Sequence, residues 1–164
     1  MKKEELSKKR WKQTVKKARE TFKEEFLAYL QSRKYLFLIK FSDDIELIFD
    51  DEAREPLLII RVKNNEILPS LQTLRKCPDI LPKIWTDTDA TKFLLNGANL
   101  FRPGITKFDI FQKNQVVQVV NPMGNVLSIG EVIYSSIKMP DRGEVLKTIS
   151  YLNDEIWSIA DQIK

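Results

Sequence analysis

With 164 residues, 43% of them hydrophobic and 30% charged, the chain has the composition of a folded globular protein, sized for one large domain or two small ones. Histidine is absent and there is one cysteine, Cys77, which removes the commonest general base, the usual partner of a catalytic serine or cysteine, and any internal disulfide or zinc cluster. The net charge of +4 is concentrated at the start: residues 1–23 hold ten Lys or Arg against three Glu, which leaves the rest of the chain with three more acidic than basic residues.

No apolar run approaches the roughly 20 residues that cross a bilayer. The opening MKKEELSKKR has no apolar stretch after it that would make a secretory signal. A lone cysteine suits a reducing cytoplasm. None of the five glycines forms a GxxxxGK[ST] or GxGxxG phosphate loop. The expectation is a cytoplasmic, noncatalytic protein with no cofactor and no metal. Its basic N-terminus suits phosphate backbones, an acidic protein or a membrane surface.

Trp11, Val15, Ala18, Phe22, Phe26 and Leu30 follow one another at steps of three or four, one stripe of a single long helix that turns its apolar side to a core. YLFLIKF (Tyr35–Phe41), IELIF (Ile45–Phe49) and LLIIRV (Leu57–Val62) predict three strands, rich in branched and aromatic residues. Ser42-Asp43-Asp44 forms the hairpin between the first two, Asp50–Pro56 an acidic loop, and Val62–Glu66 a further turn. Ser70 is placed to cap a short helix in PSLQTLRK, which Pro78 and Pro82 end. This proline-punctuated stretch divides the chain into residues 1–79, a long helix on an antiparallel sheet, and residues 80–164. It is short and not Gly/Ser-rich, so a fixed interface between the two is expected.

The second part opens on the strand Lys83–Thr86. Asp87 or Asp89 caps the helix Ala90–Asn96, and Gly97 stands where a left-handed cap is needed. Asn99-Leu100-Phe101 leads to the Pro103-Gly104 turn. VVQVV (Val116–Val120) and VLSI (Val126–Ile129) flank the turn Asn121–Asn125 as a hairpin, and Gly130 permits a bend or bulge before EVIY. Short strands with one small helix predict a closed β-barrel.

Asp87, Ala90, Gly97, Pro103-Gly104-Ile105, the hairpin with Asn-Pro-Met-Gly and Gly130 together resemble the PUA domain. LPSLQTLRKCPDILPK, KFLLNGANLFRPGI and ISYLNDEIW narrow the resemblance to the translation-factor family named for malignant T-cell-amplified sequence. Two positions depart from that pattern: Asp89 stands where the family has glycine before the helix alanine, and Ser150 where it has histidine. The resemblance implies an α+β fold, with an N-terminal helix-plus-antiparallel-sheet domain packed on a C-terminal PUA β-barrel. It also implies binding to small-subunit ribosomal RNA and to tRNA, and a heterodimer with a density-regulated-protein-like partner held by the first domain. The activities implied are subunit recycling, deacylated tRNA release and reinitiation. An RNA-modification accessory role and a membrane-surface role are the alternatives.

PUA domains hold RNA along the small helix, the strand after it and adjacent loops. That edge corresponds here to Lys92, Gly97, Ala98, Asn99, Arg102 and Gly104, with Lys107 and Lys113 widening it. Gly97 is equally a helix cap and Lys92 equally a solvated lysine. Arg102, fixed by the Pro-Gly turn, is the leading candidate, and its charge reversal together with Lys92 is expected to weaken subunit binding without lowering the melting temperature. Trp85 and Trp157 are read as core or closure residues and not as stacking platforms, and Cys77 as a semi-buried interdomain residue. The aliphatic strands of the first domain are the candidate partner surface, to be decided by exposure along Leu57–Val62.

Overall fold

The computed structural model describes residues 1–163, which form two compact units: Met1–Ile80 together with the residues from Glu155 on, and Leu81–Asp154. The segment after Asp154, expected with the second domain, thus belongs with the first. Within that unit Gln72 donates its side-chain N–H to the Trp157 carbonyl at 3.0 Å, and the N-terminal ammonium donates to the Gln162 carbonyl at 3.0 Å.

The first unit is a five-stranded antiparallel sheet in sequence order: β1 Glu4–Glu5, β2 Leu36–Lys40, β3 Ile45–Asp50, β4 Glu55–Arg61 and β5 Glu66–Pro69. The single long helix expected from the sequence is two helices, α1 Lys8–Ala18 and α2 Glu24–Ser32. Past Ala18 the chain tightens, with Glu20 N–H bonding the Lys17 carbonyl and Thr21 N–H the Ala18 carbonyl, and Lys23 is extended at φ −75°, ψ 159° before α2 begins. The apolar stripe survives the break because the turn brings the same face back inward. Val15, Ala18, Phe22, Phe26 and Leu30 are all buried, and Phe22 meets Phe26 edge-on at 5.0 Å.

Leu47 to Asp50 and Leu57 to Ile60 are buried at every position, so β3 and β4 are covered on both faces. This overturns the expectation that the aliphatic strands offer a partner surface: of Leu57–Val62, only Val62 is exposed. Asp50 avoids an uncompensated buried charge by pairing with Arg33 at 2.6 Å. The hairpin after β2 is made as expected, the Ser42 hydroxyl accepting the N–H groups of Asp44 and Ile45. Past β4, Asn65 takes a left-handed φ of 47° and directs the chain into β5, a strand that the sequence pattern does not announce. Ser70 caps α3 Leu71–Lys76 by accepting Thr73 N–H at 3.1 Å, and donates to the Pro56 carbonyl at 2.7 Å.

The second unit is a six-stranded sheet curled into a half-barrel, in the order β7-β11-β10-β9-β6-β8. Its strands are β6 Lys83–Thr86, β7 Leu100–Phe101, β8 Ile105–Phe108, β9 Val116–Val120, β10 Val126–Val132 and β11 Glu144–Tyr151, with α4 Thr88–Leu94 after β6. Only β6 and β9 run parallel. The core joins Ile84, Leu94, Leu100, Phe111, Val119 and Leu146 among others. Gly130 marks the predicted irregularity: the β10–β11 register shifts between Ile129 and Gly130, and a Cβ there would lie 2.5 Å from the Lys147 carbonyl oxygen.

Candidate nucleic-acid interface

Asp87, not Asp89, caps α4. Its carboxylate accepts Ala90 N–H at 2.9 Å, while its own N–H bonds the Gly104 carbonyl at 3.0 Å, which ties the helix start to the Pro-Gly turn. Gly104 packs close to α4: a Cβ there would stand 3.0 Å from that of Ala90, tight enough that the helix or the turn would have to give by a few tenths of an ångström. At the other end Gly97 takes φ 84°, with Gly97 N–H to the Leu94 carbonyl and Ala98 N–H to the Phe93 carbonyl, both 3.0 Å. A Cβ on Gly97 would lie 2.7 Å from the Tyr151 ring. The loop that follows is stapled to β11. The Ala98 carbonyl accepts the Thr148 hydroxyl at 2.9 Å, Asn99 accepts Thr148 N–H at 2.9 Å, and Asn99 donates to Glu144 at 2.7 Å.

Between α4, β7 and the turn Arg102–Gly104 lies a cleft of about 420 Å³. Phe93 and Phe101, 66% and 54% exposed, give it an apolar wall, and Asp87 and Asp89 lie on its lining. Ala98, Asn99 and Gly104 line it too, but among the described residues no Lys or Arg does. The place expected to grip phosphates is therefore apolar and acidic.

The remaining expected RNA-binding residues are dispersed. Lys92 is exposed on α4 outside the cleft. Arg102 is half-buried and folded onto its own turn: Nη1 donates to the Ile105 carbonyl at 3.3 Å and the guanidinium stands 5.8 Å from the Phe108 ring centre. Its Nε is buried without a partner. Charge reversal at Arg102 would remove its hydrogen bond to the Ile105 carbonyl and its place beside the Phe108 ring, so a test of RNA binding by that change has to be read together with stability. Lys107 places its ammonium 4.2 Å from the centre of the Trp85 ring, its cross-strand neighbour, with the Lys83 ammonium at 5.9 Å.

Trp85 is not a core residue. Ile84 and Thr86 on either side of it are buried, so strand alternation puts Trp85 half-buried on the opposite face of β6. Trp157 belongs to the first unit, half-buried with the Arg75 guanidinium 5.6 Å from its ring. Cys77 is half-buried, and burial raises its thiol pKa, which disfavours the nucleophilic thiolate.

Lys113 lines a second cleft, of about 550 Å³, with Lys138, Lys147, Tyr134 and Ser135. Sequence reasoning missed Lys138 and Lys147. The available signal was the alternation of EVLKTISY, which turns Lys147 outward between buried Leu146 and half-buried Thr148. The two positions where the chain departs from the family pattern differ in setting. Asp89 is exposed in the first turn of α4, whereas Ser150 is buried and donates to Asp154 at 2.9 Å. Among the described residues no group of three or more His, Cys, Asp or Glu could hold a metal ion, and no helix is long and apolar enough to cross a membrane.

A family model of the PUA domain matches residues 82–152. Translation machinery-associated protein 20 of Saccharomyces cerevisiae is 30% identical over 142 residues, 80% of this chain and 76% of the yeast protein. Malignant T-cell-amplified sequence 1-B of Xenopus laevis is 32% identical over 127 residues, 73% of this chain and 68% of that protein. A crystal structure of a hypothetical protein from the archaeon Pyrococcus horikoshii superimposes with a TM-score of 0.80 at 27% identity, covering 96% of this chain and 99% of the archaeal one. A PUA domain protein from Thermoplasma acidophilum shares the fold with a TM-score of 0.67 at 17% identity, covering 96% of this chain and 98% of that one. The chain belongs to the family of translation machinery-associated protein 20 and malignant T-cell-amplified sequence 1, with a PUA domain as its second unit.

Proposed function

We propose that the protein is a noncatalytic RNA-binding translation factor of the cytoplasm. In this reading its PUA domain engages ribosomal RNA of the small subunit, and tRNA held there. Its first unit pairs with a density-regulated-protein-like partner, and the pair acts in subunit recycling, release of deacylated tRNA and reinitiation. The observation that carries the reading is the family: a PUA domain in a chain that matches a translation machinery-associated protein over 80% of its length.

The electrostatics of the second unit support RNA binding by its lysines. Lys92, Lys107 and Lys113 are exposed, whereas Arg102 and Asn99 are held by their own backbone and β11. Gly97, Ala98 and Gly104 shape the α4 region and supply no charge. The partner surface of the first unit lies away from the covered strands β3 and β4, because their side chains offer nothing to a partner.

Sedimentation of the purified protein with small ribosomal subunits at low salt tests the proposal. The full chain is expected in the subunit fraction, and Lys92→Ala/Lys107→Ala is expected to shift protein toward the top of the gradient while staying folded, with a melting temperature lowered only by the loss of the Lys107–Trp85 contact. Wild-type protein that stays at the top at low salt would refute the function.

A further inference from the structure

The two clefts of the PUA unit have opposite chemistry. The one beside α4 offers aromatic walls and carboxylates and, among the described residues, no cation. The other gathers Lys113, Lys138 and Lys147 with a single acid, Glu131, across from Lys147 on the β10–β11 ladder. Its remaining lining includes Asn114, Tyr134 and Ser135.

Its walls are fixed by backbone and leave the polar side chains spare. Asn114, at a left-handed φ of 67°, bonds the Val132 carbonyl through its N–H at 3.0 Å, and Val132 N–H returns a bond to the Gln115 carbonyl at 3.0 Å. Ser136, next in sequence to the lining residue Ser135, is tied to Phe111: its hydroxyl accepts Phe111 N–H at 3.1 Å and its own N–H bonds the Phe111 carbonyl at 3.1 Å. Ile133 N–H is fastened to the Val145 carbonyl at 2.9 Å. None of the three ammonium groups has an ion pair or hydrogen bond among the described residues, nor do the hydroxyls of Tyr134 and Ser135. Several cations of the first unit are paired instead, as in Lys3–Asp51, Arg10–Glu46, Arg33–Asp50 and Lys76–Glu55.

Phosphates in nucleic-acid complexes are held by Lys or Arg together with Ser, Asn and Tyr side chains, the set assembled here. We propose that the cleft of Lys113, Lys138 and Lys147 is a phosphodiester site, and that the RNA backbone is held here and not in the acidic α4 cleft. This rests on the RNA-binding reading above and deepens it. Three ammonium groups around one concavity, against the single carboxylate of Glu131, would neutralise phosphates and release their counterions, so the site shows itself in the salt dependence of binding.

The test is a fluorescence-anisotropy titration of the full chain against a labelled, mixed-sequence RNA hairpin over a series of salt concentrations. Lys113→Ala/Lys138→Ala/Lys147→Ala is expected to make the log–log salt slope shallower by roughly 2 to 3, at about 0.7–0.9 for each phosphate no longer neutralised. Asp89→Ala is expected to leave it unchanged. The triple variant should melt like wild type, because it removes no internal bond; if it does not, each single variant, folded, should flatten the slope by about 0.7–0.9. An unchanged slope and affinity in folded variants overturns the site and leaves the RNA-binding function standing. Wild-type protein that binds neither the hairpin nor small subunits overturns both. Displacement of the hairpin by poly-glutamate at equal charge concentration overturns the site in favour of an acidic protein partner.

Discussion

Gly97→Ala separates a structural role from an RNA-binding one at the end of α4. Two costs are visible. The backbone there is left-handed at φ 84°, which costs a residue with a Cβ about 1 kcal/mol. The new Cβ would also lie 2.7 Å from Tyr151 Cε1 and 2.9 Å from Cζ, so the ring must shift, an overpacking cost of about 1–2 kcal/mol. The expected total is about 2–3 kcal/mol, or roughly 4–12 °C in melting temperature for a chain of this size. Denaturant unfolding monitored by tryptophan fluorescence measures it. Tyr151→Ala removes the obstructing ring and keeps the Tyr151 backbone N–H that bonds Asp154. In that background Gly97→Ala should therefore cost only the left-handed strain, a coupling of about 1–2 kcal/mol. RNA affinity measured well below the transition should be unchanged. Zero coupling would refute the overlap, and abolished RNA binding at full stability would show that Gly97 serves the ligand and not the fold.

Three further expectations rest on separate features. Asp87→Ala should destabilise by about 1 kcal/mol by removing the α4 cap, and Asp89→Ala by less than about 0.5 kcal/mol, in urea titrations; equal effects would contradict the cap assignment. Gly130→Ala should cost about 3 kcal/mol, because the Cβ meets the Lys147 carbonyl at 2.5 Å and a paired backbone cannot retreat as a side chain can; a loss below about 1 kcal/mol would show that the bulge relaxes. The Asp51 carboxyl is held below its usual range by its hydrogen bond from Lys3 and then by Arg54. Its contribution is present above the ordinary carboxylate pKa and is lost as pH falls through the lowered one, so Asp51→Asn should weaken the protein at neutral pH and leave it unchanged at the acid end, read from melting temperature against pH.

What the chain disclosed in advance follows from how locally each feature is determined. Ser70, Gly97 and Gly130 are legible, and the α4 cap narrows to Asp87 or Asp89, because a cap, a left-handed residue or a bulge is a demand made within a few residues. The break between α1 and α2 was hidden because the spacing from Ala18 to Phe22 to Phe26 continues through it, and periodicity registers the buried face but not the hydrogen bonds beneath. Strands β5, β8 and β11 were obscure for the opposite reason: Glu66, Thr106, Lys107, Lys147 and Thr148 break up their apolar residues, and their pairing is decided by distant partners. Trp85 shows that alternation outranks residue type. An aromatic ring looks like core, yet Ile84 and Thr86 already occupy the inward positions. The second cleft was least legible, since Lys113, Lys138 and Lys147 are far apart in the chain and meet only through the Phe111–Ser136 clasp and the β10–β11 ladder. A lysine's availability depends on whether a carboxylate reaches it, which only the fold decides. Arg102, the leading candidate by sequence, is engaged by its own turn, while Lys147, marked only by strand alternation, and Lys138, with no local signal at all, line the second cleft.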